Sequence, residues 1–138
     1  MTIKATRNVA SVKVGDALPI LQKTFTAVDL FAYGAATWDW HRMHYDVELA
    51  RSKGFPAAVI DGQAYGALLA RAAIDWAGPR AFMTRLSFKM KAMAFAGDAL
   101  RAEGEVIEVR GRIAVLAQRL MKDGKLVAEA TSEVRLPE

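Results

Sequence analysis

Gly62-Gln63-Ala64-Tyr65-Gly66-Ala67-Leu68-Leu69-Ala70-Arg71-Ala72-Ala73-Ile74-Asp75-Trp76-Ala77 is the stretch on which the fold turns. It is long enough for about four helical turns, and Gly78-Pro79 supplies a stop. Most of its circumference is small or apolar, and its clear charges are Arg71 and Asp75, spaced i, i+4. A helix that is apolar nearly all round is expected to be buried nearly all round. Everything after it is strand-like. Phe82, Thr84, Leu86, Phe88 and Met90 alternate with Met83, Arg85, Ser87, Lys89 and Lys91, which gives one apolar face and one mostly basic face.

Further strands fit residues 99–109, 113–121 and 126–136, with Leu126, Ala128, Ala130, Val134 and Leu136 on one face of the last. Lys122-Asp123-Gly124-Lys125 carries the Asp-Gly pair of a tight hairpin. A sheet that curls around the helix would bury it. One helix cannot cover a sheet of this size, so a partner subunit is expected that extends the sheet or covers the rest.

Upstream, residues 1–16 read as an irregular or weakly paired lead-in closed by Gly15-Asp16, and residues 18–25 as a short strand. Thr26 can N-cap a helix from Ala27 to about Ala36, with Asp29 in its first turn. Asp46 can cap a short helix over Val47 to Lys53, ahead of Gly54. Phe55 to Ile60 is extended. The 138 residues suit one domain with one core.

Composition excludes several functions. No cysteine is present, so disulfides, thiolate metal sites and thiol catalysis are out, and a reducing cytoplasm fits. The first 17 residues lack an apolar signal region. The longest apolar stretch, Phe55 to Trp76, is broken by Asp61, Arg71 and Asp75, so no membrane span is expected. Net charge is +4, but the 19 Lys and Arg are spread along the chain without a dense run. No nucleic-acid partner is expected; a few placed cations could still meet coenzyme phosphates.

One segment has no periodicity: Trp38-Asp39-Trp40-His41-Arg42-Met43-His44-Tyr45. It holds both histidines of the chain, within five residues of Asp39. A carboxylate and an imidazole can serve as base and acid near neutral pH. Each residue also has a structural use: Asp39 as a turn cap, Asp46 as an N-cap, Trp38 and Trp40 as packing. His41-x-x-His44 with Asp39 or Asp46 could ligate a metal, and His44-Tyr45-Asp46 mimics part of an iron facial triad. No histidine follows residue 44 to complete such a set, and no metal is expected. No serine sits in a nucleophile elbow.

Asp39-Trp40-His41-Arg42-Met43-His44, then five residues, then Ala50, resembles the signature of the MaoC-like hydratases and hydroxyacyl-thioester dehydratases. Gly54-Phe55-Pro56 and Val59-Ile60-Asp61-Gly62 stand where that family has its Gly-aromatic segment and the opening of its central helix, and Gly97-Asp98 precedes a strand as it does there. The likeness runs over about residues 26–100. It implies an α+β hot-dog fold, an antiparallel sheet wrapped around one long central helix. It implies reversible hydration of a trans-2-enoyl thioester to an (R)-3-hydroxyacyl thioester, with Asp39 and His44 as the catalytic pair that activates water and the Gly62 N–H polarising the thioester carbonyl. Trp40, His41, Asp61, Arg85, Lys89 and Lys91 are the further candidate contacts to substrate or coenzyme. No cofactor is implied beyond the coenzyme A or acyl carrier protein that forms part of the substrate.

Two departures stand out: His41-Arg42 replaces the family's Asn-Pro, and Asp61 replaces its usual histidine. Asp61 can instead N-cap the helix. Asp75-Trp76-Ala77-Gly78-Pro79 also looks like the helix end in the small subunit of steroid side-chain enoyl-CoA hydratases. A homodimer or higher hot-dog oligomer is therefore expected, or a heteromer with another MaoC-like chain, in fatty acid or steroid side-chain metabolism. Two other readings compete: a non-catalytic hot-dog subunit that binds acyl-CoA or completes a partner, and a hot-dog acyl-CoA thioesterase.

Overall fold

In the computed structural model five antiparallel strands, β1 (Leu21–Thr24), β2 (Phe82–Met90), β3 (Ala99–Arg110), β4 (Ile113–Lys122) and β5 (Lys125–Arg135), curl around the last of three helices, α1 (Ala27–Thr37), α2 (Val47–Ser52) and α3 (Gly62–Ala77). Residues 6–138 are described; residues 1–5 of the expected lead-in lie outside them. The strand order is β1-β3-β4-β5-β2. None of the described helices is long and apolar enough to cross a membrane.

The sheet side of α3 is buried through Ala64, Tyr65, Leu68, Leu69, Ala72, Ala73 and Trp76. Leu69 is fully buried in one core cluster with Leu100 and Leu120, while Leu116 and Leu136 are buried in a second that holds Ala73 and Trp76. A buried polar link also ties the helix to the sheet: Gln118 donates to the Leu69 carbonyl at 2.9 Å, and Ser132 donates to Gln118 Oε1 at 2.7 Å. The expectation of burial all round needs correcting. Gln63, Ala67 and Arg71 are exposed and Ala70 and Ile74 only half-buried, so one stripe of α3 stays open.

The strand expectations hold with three adjustments. The first strand is shorter than residues 18–25, because the lead-in pairs with β3 separately through Gly15, Asp16 and Leu18. A bulge between Met83 and Arg85 shifts the parity of β2. Met83, Leu86 and Phe88 thus face the core, while Phe82, expected inside, is 61% exposed. A second irregularity, between Leu120 and Met121, buries Val127 more fully than Leu126. The hairpin between them turns on Asp123 and Gly124, both at positive φ as its tight geometry demands.

Local signals fix the helices that carry the site. Thr26 and Asp29 form a reciprocal capping box on α1. Trp38 ends α1 in the left-handed region at φ 59, and the Asp39 N–H returns to the Gly34 carbonyl at 2.9 Å. That return is tight: a Cβ on Gly34 would lie 2.7 Å from the Asp39 carbonyl oxygen. Asp46 caps α2 by accepting the Leu49 N–H at 3.0 Å.

Both capping carboxyls sit below their ordinary value of 3.8, Asp29 chiefly through the Thr26 N–H and Asp46 chiefly through the Leu49 N–H. Depressed carboxylates stabilise the fold above the unfolded-state pKa and lose that contribution as pH falls through the lowered value. Urea midpoints are therefore expected to hold down to about pH 4 and to drop below it. A midpoint that falls steadily from neutrality would contradict this.

Candidate active site

The three parts of the site reach one place from three elements. Asp39 comes from the loop after α1, His44 from a single 3-10 turn over Arg42–His44, and Gly62 from the N-terminus of α3. Val59 holds the last two in register. Its N–H donates to the Met43 carbonyl at 2.9 Å, and its carbonyl lies 2.7 Å from His44 Nδ1. Ile60 donates to the Ala94 carbonyl at 2.9 Å, which pins the approach to α3. A carbonyl only accepts, so His44 Nδ1 carries the hydrogen and Nε2 is the free nitrogen.

His44 Nε2 lies 3.9 Å from Asp39 Oδ2, and both side chains are partly screened from solvent. Asp39 Oδ1 accepts the His41 N–H at 3.0 Å. That bond is the main reason the Asp39 carboxyl sits below its ordinary 3.8, and the nearby imidazole of His44 acts in the same direction. Asp39 is thus held ionised with one oxygen fixed and the other facing His44.

Gly62 opens the helix. Asp61 caps it, taking the Gln63 N–H at 2.8 Å on Oδ1 and the Ala64 N–H at 2.9 Å on its carbonyl. No acceptor among the described residues takes the Gly62 N–H, as expected for the first turn of a helix. His44, Gly62, Tyr65, Met90 and Met93 line a cavity of about 370 Å³. The Met90 thioether rests where a Cβ on residue 62 would sit, so only glycine leaves that space to a flexible neighbour. Tyr65 closes the inner wall; its hydroxyl accepts the Ala94 N–H at 2.7 Å, and burial pushes its phenol up.

The other expected contacts divide. Asp61 joins the pair: among the described residues Asp39, His44 and Asp61 each offer an atom within 4.8 Å of the others, a space that fits a water molecule or a small ion. His41 supports the pair through its backbone, with its ring 5.7 Å from that of His44. Trp40 faces outward, edge-on to Trp38 and Phe31. Lys91 lines the cavity but is paired with Glu129 at 2.8 Å. Lys89 lines a separate groove of about 730 Å³ on the outer face of the sheet, and Arg85 does not line the cavity. Asp46 has its cap and the Arg42 pair at 2.6 Å and takes no part. Sequence reasoning missed Gly34, Val59 and Met90. The first could have been found as a small residue where a helix end doubles back; a backbone carbonyl and a neighbour across the sheet leave no local signal.

Comparison with known proteins gives the family and the fold. The MaoC like domain family matches residues 10–129. The mitochondrial 3-hydroxyacyl-[acyl-carrier-protein] dehydratase FERN of Solanum lycopersicum is 28% identical over 130 residues, covering 91% of this chain and 78% of that protein. The (R)-hydratase from A. caviae involved in PHA biosynthesis superposes with a TM-score of 0.85 at 27% identity, over 92% of this chain and 98% of that one. A chain of the ChsH1–ChsH2 complex from Mycobacterium tuberculosis shares the fold, with a TM-score of 0.85 at 23% identity over 91% of this chain and 98% of that one. With its sheet-wrapped helix and a family match spanning most of its length, the chain belongs to the MaoC-like dehydratase domains of hot-dog fold.

Proposed function

We propose that the chain is a hydro-lyase that adds water to a trans-2-enoyl thioester, giving an (R)-3-hydroxyacyl thioester, and catalyses the reverse. The observation that carries this reading is that His44, whose Nε2 lies 3.9 Å from Asp39 Oδ2, and Gly62, whose N–H is unpartnered among the described residues, line one largely apolar cavity. The N-terminus of α3 offers a free donor and positive dipole to a thioester oxygen that gains charge in the transition state. Polarising that carbonyl makes C3 electrophilic toward water and stabilises the enolate whose C2 then takes a proton; in the reverse direction it makes the C2–H acidic. Asp39 and His44 lie on one side, where they bind and activate one water, so addition is syn. Met90 swings aside to let the thioester reach Gly62.

The names of the tomato dehydratase and the A. caviae (R)-hydratase support the reaction class and its hand. Coenzyme A and acyl carrier protein both remain carriers in this proposal. Lys91, at the cavity, is the best placed of the basic trio for a coenzyme phosphate; Arg85 and Lys89 would meet only a longer reach across the sheet. No cofactor and no metal enter the reaction. A cytoplasmic location stays part of the proposal, while the tomato relative is mitochondrial by name.

The open stripe of α3 and the unpaired edge of β2 are the surfaces for a second hot-dog subunit. A second copy of this chain is the first candidate. The fold shared with the ChsH1–ChsH2 complex supports a different MaoC-like chain as the alternative.

Purified protein is expected to bleach the conjugated-thioester absorbance of crotonyl-CoA or a longer enoyl-CoA. Asp39→Asn and His44→Ala should each slow it at least about a hundredfold; near-wild-type rates in both would sink the mechanism. Thiol release instead would point to a thioesterase, and activity only with a second hot-dog chain to a partner-completing subunit. Gly34→Ala pushes the Asp39 carbonyl away and is expected to lower kcat about tenfold or more through lost positioning, with KM changed less. Light scattering on eluted protein should give at least twice the chain mass; a monomer at micromolar concentration would refute the proposed assembly.

A further inference from the structure

Asp61 has an oxygen that the helix cap does not use. Its Oδ1 accepts the Gln63 N–H, while Oδ2 is buried without a hydrogen-bond partner in a residue only 7% exposed. A buried carboxyl oxygen is costly unless something fills the place beside it. The same residue stands at the proposed water site, where Asp39, His44 and Asp61 each offer an atom within 4.8 Å of the others. We propose that Asp61 is a third member of that site, and that it, Asp39 and His44 share a single proton around the reacting water. The chemistry rests on the hydratase reading; the geometry does not.

Hydrogen-bond counting leads there. His44 Nδ1 is committed to the Val59 carbonyl, so a neutral ring offers Nε2 as an acceptor. Asp39 Oδ2 and Asp61 Oδ2 are acceptors too, since their partner oxygens hold the His41 and Gln63 N–H groups. Three acceptors then face a water with two hydrogens. One additional proton, on any of the three, removes the shortfall: the water accepts from that group and donates to the other two. Its remaining lone pair is left free for C3. Three groups that hold one proton between them titrate as a unit.

The step balances. The water lone pair forms the C3–O bond as the π electrons of the double bond move toward C2 and the carbonyl. His44, the member that lines the cavity, gives its Nε2 proton to C2. One water O–H bond breaks, and that proton passes to a carboxylate. The cluster starts and ends each turnover with one proton, and dehydration runs the same path backward.

The groups facing Asp61 are few. Asp39 comes from the loop after α1 and His44 from the 3-10 turn. Tyr33 on α1 has its phenol pushed up by burial and then by the charge of Asp61. Across the cavity stands Lys91, held by Glu129. The His41 N–H keeps the Asp39 carboxyl below its ordinary range.

Asp61→Asn keeps the size and the cap but removes the acid, and Asp61→Ser is a second capping variant. The His44 ring is followed by NMR against pH in the whole protein, with His41 as reference. In both variants the His44 midpoint is expected to fall by at least about half a unit, since a neighbouring anion that favours imidazolium is lost. The kcat profile for crotonyl-CoA should lose one ionisation and its maximum at least about tenfold, with the melting temperature little changed. An unmoved His44 midpoint with a wild-type profile overturns the proposal. Activity lost on chelation and restored by Zn2+ does so too, since the three groups would then hold a metal. If neither variant folds, the wild-type titration decides: two steps for His44 support the shared proton and a single step overturns it. Wild-type protein inactive on every enoyl thioester would defeat the hydratase reading while the His44 titration still tested the cluster.

Discussion

The burial of α3 inside the curled sheet is the constraint on which the rest depends. A helix made of alanine, glycine and leucine holds its place only while strands cover it. The Gln118–Ser132 link and the leucine layer fix its depth and rotation. Once α3 is fixed, its N-terminus is a fixed point as well. Asp61 caps that end, Val59, three residues upstream of Gly62, holds His44, and the return of Asp39 to Gly34 closes the ring around the candidate site. The reactive groups are thus held by backbone contacts from elements that the core has already placed.

Much of the fold was legible, for identifiable reasons. Thr26 with Asp29, Asp46 ahead of Val47, and Asp123-Gly124 are local signals whose chemistry acts within a few residues. The helix from Gly62 to Ala77 announced itself by composition. What escaped was non-local. The bulge near Thr84 depends on pairing with β5, almost fifty residues away, and it decided that Phe82 would face outward. The open stripe of α3 was hidden for a similar reason: apolar composition says that a face avoids water, not which chain covers it.

The site was legible in part. Asp39 and His44 looked structural when taken one at a time; their spacing to Gly62 suggested that they belong together, and the fold brings them within 3.9 Å. Asp61 was read as either a cap or a contact. It caps with Oδ1 and leaves Oδ2 buried without a partner, because a carboxylate has two acceptors and a helix start needs only one from a side chain; one of its oxygens lies within 4.8 Å of atoms of Asp39 and His44. Arg85 and Lys89 of β2 do not line the cavity of His44 and Gly62, since period two places them on one side without saying which cavity that side meets.

The two histidine rings, 5.7 Å apart in a single turn, have a consequence for the molecule as a whole. Histidine ring protons stand apart from those of most other side chains in a proton NMR spectrum, and all that this sequence carries come from residues 41 and 44. A change in those resonances on mixing with a ligand therefore reports on one loop. In that sense the protein carries its own label, confined to a region a few ångströms across.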